Sequence, residues 1–174
     1  LDGLKVFDRE NELVLLGVLC AFTKPATMLD VGCGTGAVVR EARLLGIDAY
    51  GIDQMQDDNE HFKCVDLREK IDLYAKFEIV YSVEVAEHIE EQYEGEFCDT
   101  LARHTAEGGR LIFTAAPPGQ GGYNHFNCQP KEYWRDRFKS RGMVYNVGET
   151  ERLATIWRNT WVTLNHLARN VQVF

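Results

Sequence analysis

Met28-Leu29-Asp30-Val31-Gly32-Cys33-Gly34-Thr35-Gly36 leaves an apolar run (Ala26 to Val31) and enters a stretch of helical spacing, Ala37 to Leu45. Glycine is required where a chain turns sharply, and where a ligand comes too close to the backbone for a side chain to fit. A strand, a glycine turn and a helix in that order predict a ligand loop at the carboxyl end of a first sheet strand. Asp53 closes the next strand-like segment. A carboxylate there can accept from both hydroxyls of a ribose, each bond worth roughly 1.5–3 kcal/mol when charge-assisted. Gly32, Gly34 and Ala37 also satisfy the G-x-G-x-x-G/A pattern of dinucleotide sites. Asp30 argues against a dinucleotide, because a carboxylate two residues before the first glycine repels a pyrophosphate and attracts a sulfonium or ammonium group. A glycine turn with no ligand is the third reading.

Outward from this loop, helix and strand patterns alternate. Residues 9–22 read as a helix ended by Lys24-Pro25. Strands are expected at Ala26–Val31, Ala49–Asp53, His61–Val65, Phe77–Val83 and Arg110–Ala116. Helices are expected over 37–45 and 90–104, the second ended by Gly108-Gly109. After the loop Pro117–Asn127 come a helix over 130–141, a strand Met143–Val147, a helix over 150–168 and a strand Asn170–Phe174. Strands alternating with helices call for a mostly parallel sheet covered on both faces. The expected fold is therefore α/β, doubly wound and seven-stranded, with an antiparallel last strand, and one domain spans residues 1–174.

LDVGCGTG (29–36), YGID (50–53), CVDL (64–67) and FEIVYSVEVAEHI (77–89) together resemble the successive motifs of class I, Rossmann-like S-adenosylmethionine-dependent methyltransferases, in order and spacing. The resemblance is close over residues 26–118 and holds in pattern beyond them. It implies S-adenosyl-L-methionine as cofactor, with Asp30, Gly32, Gly34 and Gly36 facing the methionine moiety. It also implies that Asp53 holds the ribose and Asp66 the adenine amino group.

Val83-Glu84-Val85-Ala86-Glu87-His88-Ile89 follows the Phe77–Val83 strand. On a helix, Glu84 would share one face with Glu87 and His88, at the crevice end of the sheet. The loop Pro117–Asn127 brings Tyr123, Asn124, His125 and Asn127 over the same crevice. Glu84, Glu87, His88 and His125 form a candidate site for a divalent metal, Mg or Mn. Their Glu-x-x-Glu-His pattern with a later histidine resembles the metal site of small-RNA 3′-terminal 2′-O-methyltransferases. Without a metal, Glu84, His88 and His125 serve as acceptor-orienting groups or a general base, and helix-dipole and packing roles are the plain alternative.

Composition narrows the acceptor. The net charge of −8 disfavours nonspecific nucleic-acid binding, so a small molecule is favoured, with RNA still open. The charge is uneven: residues 1–116 hold eleven Lys/Arg against twenty-three Asp/Glu, and residues 117–174 hold eight against four. That contrast reads either as a solvated basic face or as a dock for an anionic acceptor. The longest apolar run, Leu13 to Phe22, is short of the about 20 residues that a membrane helix needs. The five cysteines are scattered and odd in number, which suits free thiols in a reducing compartment. With no leader pattern visible, the expected location is cytoplasmic. A nucleotide-dependent oxidoreductase and a non-catalytic S-adenosylmethionine-binding module are the rival functions. Trp134, Trp157 and Trp161 are expected in the core or on a pocket wall, and His61, His104 and His166 at surface or satisfied core positions.

Overall fold

The computed structural model describes residues 13–160 and 165–174. Residues 13–21 are helical (α1); the start of the helix expected over 9–22 lies outside the described residues, as does Trp161. Along the chain follow β1 (Thr27–Val31), α2 (Ala37–Leu44), β2 (Asp48–Ile52), β3 (Phe62–Lys63) and β4 (Phe77–Val83). Two 3₁₀ turns, Ala86–His88 and Glu91–Tyr93, lead to α3 (Glu94–His104) and β5 (Thr105–Thr114). The last elements are α4 (Lys131–Lys139), α5 (Val147–Thr160), α6 (Asn165–Asn170) and β6 (Gln172–Val173).

The strands form one sheet in the order β3-β2-β1-β4-β5-β6, parallel except for β6 against β5. Period-two alternation sends the side chains of each central strand to opposite faces. Met28, Ile79, Tyr81 and Ile112 pack with α1, α2, α5 and α6, whereas Leu29, Val31, Val80, Leu111 and Phe113 pack with α3 and α4. Helix α3 buries Phe97, Cys98, Leu101 and His104, one face at helical spacing. His104 is a satisfied core residue: its Nδ1–H donates to Thr100 O at 2.6 Å, and Nε2 accepts from Leu73 N at 3.0 Å. Trp134 and Trp157 are fully buried core residues.

Four expectations need correction. The sheet has six strands among the described residues, not seven. Residues 143–146 form no strand, because Asn146 is used otherwise: its Oδ1 accepts from Glu149 N at 3.0 Å and its carbonyl from Thr150 N at 3.0 Å. That is helix N-capping, and it starts α5 at Val147, inside the predicted strand. One bond toward β6 survives, Asn146 N to Val173 O at 2.8 Å. Second, Gly108-Gly109 does not end a helix. It lies inside β5, where the pairing with β4 shifts register between Phe77 and Ile79. A Cβ on Gly109 would lie 2.9 Å from the Glu78 carbonyl oxygen, so the glycine marks a bulge rather than a cap. Third, the helix expected over 150–168 is described as α5 and α6, with residues 161–164 between them outside the described part. Fourth, the last strand is two residues long, not five.

Strand order reverses at β1, whose neighbours β2 and β4 lead in opposite directions. Helices then leave to opposite faces and open a crevice beyond the carboxyl ends of β1 and β4. Antiparallel β6 begins at that same end of the sheet, so the residues just before it also reach the crevice.

Candidate active site

Beyond β1 the backbone amides of Gly32 and Cys33 both donate to Ile52 O, at 2.9 and 3.3 Å, and Gly36 N closes the turn on Cys33 O at 2.8 Å. Gly34 has φ +50°, a conformation that costs an L-residue roughly 1–2 kcal/mol. A Cβ built there meets no protein atom within 4 Å, so a side chain at Gly34 would enter open space rather than core. Gly34→Ala is therefore expected to cost about 1 kcal/mol of stability yet weaken S-adenosylhomocysteine binding by about tenfold or more, as a methyl group fills the ligand side of the loop. Unchanged affinity in a folded variant, measured by calorimetry, would remove the loop from the site.

Asp53, just past β2, fastens this loop. Its Oδ2 accepts from Gly34 N at 2.9 Å and its Oδ1 from Met55 N at 2.8 Å. Gln56 adds a short side-chain bond to the Gly34 carbonyl. Asp30 is 3% exposed, and its carboxyl is pushed up to about 8, first by burial and then by the charge of Asp53. Across β1–β4 it pairs with Tyr81, whose buried hydroxyl has no hydrogen-bond partner among the described residues. Burial of a carboxylate without a cation is costly. The position accordingly favours a positively charged ligand group.

A cleft of about 420 Å³ runs from this loop past Asp53 to His88, within the range of small-molecule sites. Met55, Val65, Leu67 and Ile89 line it as an apolar slot suited to a flat heteroaromatic ring. Asp66 also lines it, but both its oxygens hold Arg68, with Nε at 2.9 Å from Oδ1 and Nη2 at 2.6 Å from Oδ2. These bonds hold its carboxyl below the usual range. An adenine amino group would have to share those oxygens with Arg68, a competition invisible in CVDL alone.

The acidic-histidine segment is built differently from the expectation. Glu84 is not on a helix; it follows β4 with φ +54°, its N–H donating to Thr114 Oγ1 at 2.9 Å. Only Ala86–His88 makes a 3₁₀ turn. The reason is the strand: β4 pairs with β5 up to Val83, and the chain must reverse sharply before any helix begins. Glu84 still lines the same cleft as His88 and bears on the Glu87 carboxyl, but its own oxygens are held by other residues. Its Oε2 accepts from Gln120 Nε2 at 2.7 Å and its Oε1 from Asn170 Nδ2 at 3.3 Å.

Glu87, His88 and His125 do come together. One potential ligand atom from each lies within 4.8 Å of the others, and the two imidazole centroids are 4.9 Å apart. The loop is held there by the Glu87 carbonyl, which accepts from Phe126 N at 2.8 Å and Asn127 N at 3.0 Å. His88 Nδ1–H donates to Asn124 O at 3.1 Å, since a carbonyl can only accept, and Nε2 keeps its lone pair. Glu87 is fully buried, and neither carboxylate oxygen has a hydrogen-bond partner among the described residues. Burial and then the nearby Glu84 charge push its carboxyl well up. Asn127 does not face the crevice: it is buried and donates to Glu94 Oε2 at 3.2 Å, and Tyr123 is exposed. Gln120, Asn170 and the apolar slot were missed from sequence. The antiparallel last strand was the available signal for Asn170, because its first residues must fall at the crevice end.

Residues 9–158 match the family model described as "Methyltransferase domain". A probable chloroplastic tocopherol O-methyltransferase of Oryza sativa subsp. japonica is 30% identical over 125 residues, covering 63% of this chain and 32% of that protein. The chain thus spans about a third of the length of that curated relative. The magnesium protoporphyrin IX methyltransferase of Synechocystis, crystallised with bound S-adenosylhomocysteine, superposes with a TM-score of 0.61 at 18% identity, over 80% of this chain and 74% of that one. Human N-acetylserotonin methyltransferase, crystallised with S-adenosylmethionine, gives 0.52 at 16% identity, over 76% and 47%. These two likenesses show the shared fold. Among the described residues no helix is long and apolar enough to cross a membrane.

Proposed function

Since the chain belongs to the methyltransferase-domain family, we propose that it moves the methyl group of S-adenosylmethionine to an oxygen or nitrogen of a small-molecule acceptor held beside Glu84, His88 and His125. The observation that carries this reading is the cleft that runs from Gly32 past Asp53, whose carboxylate fastens the Gly34 amide and acts on the buried Asp30 carboxyl. In this reading Gly32, Gly34, Gly36 and Asp30 receive the methionine portion, Asp53 the ribose, and the slot with Asp66 the adenine. The relatives compared above are named for tocopherol, magnesium protoporphyrin IX and N-acetylserotonin, which favours a small acceptor over an RNA end.

When bound, the cofactor supplies a sulfonium methyl already activated for in-line attack. The chain's own work is positioning, which can contribute about 7–11 kcal/mol when the attacking atom is held in line. His88 Nε2 is the group prepared to take the acceptor's proton, because Nδ1–H is committed to Asn124 O. His125 lies edge-on to the His88 ring.

A second reading adds a divalent cation, favoured by the two buried, unpartnered oxygens of Glu87 beside His88 and His125. Those three residues would hold it. Glu84, already bonded to Gln120 and Asn170, would stay outside the set. The cation would act there as a Lewis acid toward the acceptor oxygen. One assay tests both readings: production of S-adenosylhomocysteine over a panel of small hydroxyl and amine acceptors and an RNA 3′ end, with EDTA or with added Mg²⁺ or Mn²⁺. Turnover of a small acceptor in EDTA is the expected result. Turnover only with metal and RNA would replace it with the second reading, and failure on every acceptor would favour a binding module.

A further inference from the structure

A second cleft lies on the other side of the Glu84 carboxylate. It is lined by Pro117, Gln120, Gly121, Lys131, His166, Arg169 and Asn170. Three of these carry or can carry positive charge and none is acidic, in a chain whose net charge is −8. Two of the eight Lys/Arg of the C-terminal third, Lys131 and Arg169, thus share one concavity at the crevice end of the sheet. The wall between the two clefts is a hydrogen-bonded triad. Asn170 Nδ2 donates to Gln120 Oε1 at 3.0 Å and to Glu84 Oε1 at 3.3 Å, and Gln120 Nε2 donates to Glu84 Oε2 at 2.7 Å. Glu84 also lines the first cleft, so the triad borders both clefts. Lys131, at the start of α4, is half-buried and spends one of its three donors on Val171 O at 3.3 Å. Burial and the neighbouring Arg135 hold its ammonium below the usual range, while Glu151 and Glu132 act on it from outside the lining. A half-buried cation with donors to spare, next to an exposed Arg169, suits an oxyanion.

We propose that this cleft seats an anionic group of the methyl acceptor, a carboxylate or a phosphate, with Lys131 and Arg169 as its charge partners; the proposal rests on the methyl-transfer reading above. The triad then sets the distance between that anion and the accepting atom. Gln120 and Asn170 are specificity-determining, because their amides both carry Glu84 and border the anion.

The test uses the full chain loaded with S-adenosylhomocysteine, whose own affinity is measured first. Benzoate and phenyl phosphate are then titrated in separate arms, with benzyl alcohol as the neutral control, followed by ¹⁵N chemical shifts. The expected result is saturable binding of at least one anion with a Kd of ~1–10 mM. The shifts should centre on Lys131, Gln120 and Arg169, with none for benzyl alcohol. The tighter anion identifies the group. The double variant Lys131→Gln/Arg169→Gln should bind that anion at least about tenfold more weakly, with S-adenosylhomocysteine affinity unchanged. Equal anion binding in the variant, shifts centred elsewhere, or no binding by either anion overturns the inference and leaves the methyltransferase reading standing. A chain that does not bind S-adenosylhomocysteine overturns both.

Discussion

Asp53→Ala is expected to weaken S-adenosylhomocysteine binding by about 100-fold or more, roughly 3 kcal/mol, since charge-assisted bonds contribute about 1.5–3 kcal/mol each. The loss has two sources. On the proposed reading the ribose loses its acceptor, and the glycine loop loses the bond from Gly34 N to Oδ2 that holds it in shape. Met55 N also loses its partner at 2.8 Å, which loosens the apolar slot next to it. Asp53→Asn keeps one acceptor oxygen and is expected to fall between, at about tenfold. Calorimetry on folded protein, with melting curves to confirm folding, measures all three. A loss smaller than about threefold for the alanine variant would mean that another group carries the ribose.

Asp30→Asn is expected to make the cofactor-free protein more stable and worse at binding. The folded protein holds this carboxyl near 8, above its ordinary 3.8, so the folded state binds the proton more tightly than the unfolded chain. The stability contributed by this group is therefore complete below about pH 4 and is lost progressively as pH rises toward 8. Asparagine abolishes that loss. Parent and variant should melt together near pH 3, below both pKa values, and by pH 8.5 the variant should be ahead by roughly 5 kcal/mol, or ~15 °C. Binding moves the other way. A cationic cofactor prefers the ionised carboxylate, so the parent's affinity should tighten from pH 6 to 8 and the variant's should stay flat. A stability gain independent of pH would sink the account, because it would mean that the buried charge is not its source. Such a trade between stability and binding is what a site holding an uncompensated charge produces.

The sequence by itself determined the part of this protein that is local. LDVGCGTG between an apolar run and a helical stretch settles a strand, a turn and a helix, since glycines at those positions leave few other backbone paths. Runs rich in β-branched and aromatic residues such as FEIVYSV mark the central strands, because a strand covered on both faces must be largely apolar on both. The placement of Asp30 and Asp53 at strand ends follows from the same patterns. Long-range competition for backbone and side-chain groups was decided only in three dimensions. Asn146 could pair in a strand or cap a helix, and capping two amides of α5 won. Gly108-Gly109 could end a helix or permit a bulge, and which one depended on the Phe77–Glu78 carbonyls of a strand some thirty residues earlier. The helical face predicted for Glu84, Glu87 and His88 assumed a helix starting where β4–β5 pairing still held the chain extended. Glu87, His88 and His125 met all the same, because the Glu87 carbonyl captures the amides of Phe126 and Asn127. Asp66 was legible as a carboxylate after the third strand, but its pairing with Arg68 was not. Nor was the basic cleft, whose residues come from three separate segments and converge because an antiparallel last strand starts where the parallel ones end.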